Sequence, residues 1–271
     1  MTLFKHIIIT RFNLPKRWNT DKNGHTILDA SWLEDRFELF ENFCLPSIIG
    51  QTIKNFEWWI YFDQGIEVRY KDLIQNIEAQ HSFIKAKYEK SYDDFLINLP
   101  IDLHKYSLKG NIDWLITTRL DNDDMLAKDT IAILQKNNNF QKNNLLEIPC
   151  GYNLELNRKP KPKLRKLEME LNPFISYVEK VEKEKRIKGV YFYDHTEWKG
   201  VDRIIVTKRP QWVQVIHDKN VINRLNGDLV SPLNFQSRFI FNYKVLDLKI
   251  SYKFYAAQIL KFFKIEHLDR E

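Results

Sequence analysis

Apolar positions along the first half of the chain follow two alternating rhythms. Short β-branched and aromatic runs at residues 5–12, 56–62, 82–88 and 114–120 read as strands. Between the first two, Leu33, Phe37, Phe40, Cys44 and Ile48 fall three or four apart, which is one face of a helix. Ser31 with Glu34 fits a capping box at its start, and Pro46 marks a kink or break near its end. Residues 72–80 read as helical. Residues 92–108 read as helical in part, with Pro100 interrupting. A helix over 128–135 and a strand over 145–152 follow. Beyond residue 156 the pattern loosens, with strands expected around 189–193, 204–207 and 212–216. A last apolar stretch, 243–263, reads as helical. Strands alternating with helices predict an α/β fold, a mostly parallel sheet flanked by helices, with a C-terminal helical extension.

The length, 271 residues, suits one α/β domain with a sizeable core. No run approaches the ~18 apolar residues of a membrane span. The apolar N-terminal stretch, soon broken by Arg11, is too short for a signal peptide. Two cysteines, Cys44 and Cys150, make neither a disulfide framework nor a zinc cluster, so the expected compartment is the cytoplasm. Glycine is scarce at 8 residues, and no glycine-rich phosphate loop is present. The net charge of +6 points to an anionic partner.

The chemistry concentrates at Asp121-Asn122-Asp123-Asp124, at the carboxyl end of the strongest strand. With nineteen aspartates in the chain, a D-x-D pair arises about once by chance, so position carries the weight. Ligands of parallel α/β sheets bind beyond the carboxyl ends of strands. Three carboxylates in four residues repel unless a cation or hydrogen-bond donors offset them. Oxygen ligands suit Mg²⁺ or Mn²⁺ bridging to substrate phosphates. Met125 and Leu126 exclude a calcium EF-hand loop. Arg11 and Asp63 end the first two strands, so a parallel sheet brings them to the same edge, suited to a nucleotide's base and ribose.

Several segments resemble the bacterial rhamnosyltransferase-like family of GT-A, Rossmann-like nucleotide-sugar glycosyltransferases. They are His6–Asn13, Phe43–Ile48 with Gln51-Thr52, Phe56–Asp63, Thr118–Asp124 and Trp212–His217. The resemblance runs over roughly residues 5–220 and suggests a domain over 1–225, with 226–271 as a helical extension packed on it. It implies a metal-dependent transfer of a sugar from a nucleotide-sugar donor to a bacterial surface polysaccharide or glycolipid, with inversion. It implies that Asp121 contacts the donor ribose or sugar and that Asp123 holds Mn²⁺ or Mg²⁺. Asp124 takes either task, Asp63 lies near the base, and His217, after a late strand, completes the metal site.

Glycosyl transfer also needs cations for the leaving diphosphate, with Arg119, Arg158 or Lys159 as candidates. It needs a general base, for which Asp194, His195 and Glu197 stand together after a strand. Trp198, Trp212 and Tyr152 are candidate sugar platforms. A metal-dependent nucleotidyltransferase or nuclease is the alternative, because it too clusters aspartates and would use the basic charge. A non-enzymatic binding module ranks below it. A glycoside hydrolase fits less well, since its two carboxylates come from separated strands. Six of the basic residues lie within 158–166. Lys244, Lys249, Lys253, Lys261 and Lys264 flank the C-terminal apolar stretch, as in a peripheral contact with an anionic membrane. The charge is therefore matched to diphosphate donors and lipid-linked or polyanionic acceptors, with no nucleic acid.

Overall fold

The computed structural model describes residues 2–15, 30–138, 140–156, 163–217 and 226–242. The chain opens with β1 (Phe4–Arg11), whose Ile7, Ile8 and Ile9 are fully buried on both faces. A helical segment follows as α1 (Ala30–Leu39), a π-helical turn over Phe40–Cys44, and α2 (Leu45–Ile49). The expected face is the buried one: Leu33, Phe37, Phe40, Cys44 and Ile48 all lie in the core. Ser31 is the second described residue of α1. Pro46, which has no N–H to donate, sits in the first turn of α2. The backbone ladder has already loosened into the π turn there, so the helix continues.

The next elements are β2 (Glu57–Asp63), α3 (Val68–Gln80), β3 (Ile84–Glu89), α4 (Tyr92–Lys109) and β4 (Trp114–Arg119). Pro100 does not interrupt α4. Phe95, Leu99, Leu103 and Ser107 form one buried face across it, and that packing outweighs the lost hydrogen bond. Ser91 caps α4, its hydroxyl accepting from the Asp94 N–H at 3.0 Å. Then come β5 (Met125–Leu126), α5 (Thr130–Lys136), β6 (Asn144–Glu147) and β7 (Cys150–Glu155). The single strand expected over 145–152 is thus two, which separate at Ile148-Pro149 and join different sheets. The remaining elements are β8 (Lys163–Glu168), β9 (Ser176–Lys180), β10 (Asp202–Ile205), β11 (Trp212–Ile216), β12 (Asp228–Leu229) and α6 (Leu233–Gln236).

The main sheet has the order β10-β6-β9-β4-β1-β2-β3. Its strands are parallel except β9, which runs antiparallel to both β4 and β6. From β1 the chain winds outward through β2 to β3, then returns to place β4 on the other side of β1. The junction of β1 and β4 is therefore a topological switch point, where ligands of open α/β sheets bind. One face of the sheet packs on α1, α3 and α5, through residues such as Phe37, Tyr70, Ile74 and Ile131. The other packs on Phe95, Leu99 and Leu103 of α4. A second sheet, β12-β8-β7-β11-β5, holds a third apolar cluster with Phe235, Phe239 and Phe241.

Residues 189–193 form no strand. Glu179 of β9 turns its carboxylate to the N–H groups of Lys188 and Gly189, at 2.8–3.1 Å, in place of a ladder. Gly189 takes a left-handed φ of 73°, and the Phe192 N–H closes the turn on its carbonyl at 3.2 Å. Of the expected C-terminal extension, residues 226–242 contribute β12 and one helical turn. The stretch 243–263 and its lysines, with Arg158 and Lys159, lie outside the described residues. Among the described residues, no helix is long and apolar enough to cross a membrane.

Candidate active site

The parallel register places Ile9 opposite Arg119, so two residues further on Arg11 and Asp121 face each other. The Arg11 guanidinium donates to Asp121 Oδ1 at 3.3 Å, and Arg119 stands 3.8 Å from Oδ2. Both guanidinium groups rest on the ring of Tyr191, 5.1 and 5.2 Å from its centre, and Arg11 also lies 5.2 Å from Tyr92. Nε of each arginine is buried and makes no hydrogen bond among the described residues. Two cations thus converge on one carboxylate that is 31% exposed, leaving positive charge to spare. Burial works to raise the Asp121 carboxyl, but Arg119 and Arg11 outweigh it and hold it below the usual range.

Asp123 is buried and meets different partners. Arg36 of α1 donates to its Oδ2 at 2.5 Å, and His217 Nε2 lies 3.0 Å from the same oxygen. Burial again works upward, yet Arg36 and His217 pull the Asp123 carboxyl down to about 2. Asp124 is turned inward, where its Oδ1 accepts the Val215 N–H of β11 at 3.0 Å. Burial, with Asp123 and Asp121 beside it, pushes its carboxyl well above the ordinary range. Asn122 ties the loop down by donating to the Phe12 carbonyl at 2.9 Å and accepting from Arg36 at 3.4 Å. The repulsion expected of these carboxylates is offset by three arginines, a histidine and a backbone N–H.

This arrangement also bears on the implied Mn²⁺ or Mg²⁺. Asp123 and His217 bring an oxygen and a nitrogen donor to one point, a pair that suits such an ion when substrate phosphates complete its shell. Among the described residues, no three His, Cys, Asp or Glu side chains gather to hold a metal by themselves. A cation entering there shares the Asp123 carboxylate with Arg36.

The other expected residues divide. His195 joins the arginine cluster, its Nδ1 3.4 Å from Arg119 and 3.1 Å from Asp194. Burial and Arg119 lower its pKa, against the opposing pull of Asp194. Asp194 Oδ1 also accepts from the Thr196 N–H and hydroxyl, at 3.1 and 3.0 Å. Glu197 is exposed, and its N–H closes a turn on the Asp194 carbonyl at 2.9 Å. Asp63 accepts from the Gly65 N–H at 2.9 Å, while its own N–H donates to Asn13. Two of the expected sugar platforms belong to the core. Trp212 is fully buried and stacks on Phe174 at 4.7 Å, and Trp198 packs on Tyr177 at 4.5 Å. Tyr152 is partly buried, edge-on to Phe235 and Phe239. Sequence reasoning missed Arg36 and Tyr191. Arg36 carried one signal, a charged residue beside Phe37 on the apolar stripe between Leu33 and Phe40.

Residues 5–228 match the model of the family described as "Putative rhamnosyl transferase". No curated protein matches the chain. Among solved structures, S. aureus TarS is similar at 12% identity over 89% of this chain, with a TM-score of 0.41. That match spans 38% of TarS, so the chain covers well under half of the longer protein. TarS 1-349 in complex with UDP-GlcNAc is similar at 11% identity over 89% of this chain and 64% of its own, with a TM-score of 0.44. A structure described as a "putative nucleotide-diphospho-sugar transferase from Desulfovibrio desulfuricans G20" is similar at 10% identity over 74% of this chain and 72% of its own, with a TM-score of 0.35. The family match takes in most of the chain and every residue of the carboxylate and arginine cluster, so the chain belongs to this rhamnosyl transferase family of glycosyltransferases.

Proposed function

We propose that the protein transfers a sugar from a nucleotide-sugar donor to a saccharide or lipid-linked saccharide of the bacterial surface, with inversion. The supporting observation is the convergence of Arg11 and Arg119 on Asp121 at the β1/β4 switch point. In this reading the arginines bind the donor's diphosphate, and Asp121 accepts from ribose or sugar hydroxyls. Asp123 and His217 hold Mn²⁺ or Mg²⁺, and Asp124 anchors the loop to β11. When bound, the ion supplies Lewis-acid stabilisation of the diphosphate.

In the chemical step, the bond between the sugar's anomeric carbon and the diphosphate oxygen breaks, and its electron pair leaves with the diphosphate. Arg11 and Arg119 stabilise the charge that builds there. An acceptor hydroxyl attacks the anomeric carbon from the opposite face, and its proton passes to His195. That imidazole is suited to the task because burial and Arg119 keep it neutral, and Asp194 orients it. Asp194 and Glu197, the other candidates, hold a turn or face solvent.

The test is thermal unfolding with UDP-, GDP-, CMP- and dTDP-sugars, each with and without Mn²⁺. At least one sugar nucleotide raises the melting temperature, and Mn²⁺ enlarges the shift. If none does while DNA stabilises the protein, the nucleotidyltransferase or nuclease reading replaces this one.

A further inference from the structure

We propose that Phe192 and Tyr193 form the platform on which a sugar ring of an acidic saccharide acceptor stacks; this rests on the transferase reading above. Among the described residues, large aromatic side chains are mostly buried, yet Phe192 is 46% exposed and its neighbour Tyr193 is 41% exposed. Their rings meet edge to face, 4.7 Å between centres and 85° between planes. Tyr193 is braced from behind by buried Trp198, 5.2 Å away and also edge-on, and Trp198 in turn packs on Tyr177. An exposed aromatic pair on a packed support is pre-organised for binding, because little side-chain freedom remains to be lost.

The position of the pair names the occupant. Tyr191, one residue earlier, faces inward, and its ring centre lies 5.1 Å from the Arg11 guanidinium and 5.2 Å from that of Arg119. His195, two residues later, reaches Arg119 at 3.4 Å. The platform therefore belongs to the same short segment as the proposed base, and the residues on either side of it, Tyr191 and His195, meet the donor arginines. The apolar faces of a sugar ring match aromatic faces, as the apolar bodies of Tyr and Trp do in other recognition sites. Charge sets the second property. The Lys188 ammonium lies 4.8 Å from the Phe192 ring centre and 5.7 Å from that of Tyr193. This cationic setting favours an acceptor whose saccharide bears a carboxylate or phosphate.

The experiment applies the labelled full chain, with the nucleoside diphosphate that stabilises it, to an array of uronic-acid-bearing and phosphate-bearing oligosaccharides and their neutral counterparts. The wild-type protein is expected to retain acidic members over neutral ones. Phe192→Ala and Tyr193→Ala are each expected to weaken that capture by about tenfold, and Tyr193→Trp to keep it. Retention of uronic-acid members or of phosphate-bearing members tells which anion is read. The melting shift given by the sugar nucleotide stays unchanged in all three variants. An intact shift with unchanged capture in the alanine variants, with equal capture of neutral glycans, or with no capture by the wild type, overturns the platform alone. If no sugar nucleotide shifts the wild type, the transferase reading itself falls.

Discussion

Buried charge is organised residue by residue around the site. Arg36 and Asp123 lie with side chains only 10% and 7% exposed, so neither is well hydrated. Removing one partner of such a pair commonly costs about 3–5 kcal/mol, because the other charge is stranded. The sequence showed the carboxylates, since three in four residues at a strand end are conspicuous. It did not show which cation met which carboxylate, because Arg36 lies 87 residues from Asp123 and only the folded sheet joins them. His195 gives the sharpest residue-level expectation. His195→Asn lowers kcat for donor turnover by about a hundredfold or more and leaves donor KM nearly unchanged, while Glu197→Gln retains activity. Steady-state kinetics decide it, and full kcat in the histidine variant would move the base elsewhere. A second residue governs stability. His6 is buried against the Thr118 hydroxyl, 2.7 Å from Nε2, and burial lowers its pKa to about 3. Between that value and 6.5 the unfolded chain binds a proton that the folded protein refuses. His6 therefore adds stability above pH 6.5 that is lost on acidification, about 2 kcal/mol from pH 7 to pH 5. Denaturant unfolding at the two pH values should show this loss shrinking in His6→Gln; an equal loss in the variant would assign it to other groups.

At the level of elements, periodicity located the strands and helices that pack directly. β1, β2, β4 and β11 fell close to their expected places because both their faces are buried and mostly apolar. Three features were legible only in part or not at all. α4 passes through Pro100, since tertiary burial overrode a local penalty. β9 was missed because its run Ser176–Lys180 is short and ends in Glu179-Lys180, and the buried Glu179 finds its partners only in the distant 188–189 turn. The 145–152 run split because Pro149 cannot continue a ladder, so β6 and β7 diverge into two sheets. Gly151 shows how tightly β7 and β11 then meet. It pairs with Trp212, and a Cβ there would lie 2.1–2.3 Å from the indole ring. Gly151→Ala is expected to destabilise the protein by about 1–3 kcal/mol, read as a lower denaturant midpoint. An unchanged midpoint would mean that Trp212 can move aside, despite its stacking on Phe174 and its hydrogen bond to the Ile148 carbonyl at 2.7 Å.

Across the whole molecule, topology converts separate sequence signals into one site. Arg11, Arg119 and Asp121 are brought together because β1 and β4 are neighbours at the point where the sheet's winding reverses. His217 reaches Asp123 because β11 belongs to the second sheet, whose β5 begins directly after Asp124. The site thus stands where the two sheets adjoin, and neither sheet holds all of it. The basic excess of the chain finds a local use there, since three arginines meet the carboxylates. A donor site at this junction calls for a crystal structure of the protein soaked with the sugar nucleotide that most raises its melting temperature. The expected density is a diphosphate within hydrogen-bond distance of Arg11 and Arg119, with the ribose or sugar on Asp121. A nucleotide bound away from the β1 and β4 carboxyl ends, with the arginine cluster untouched, would contradict it.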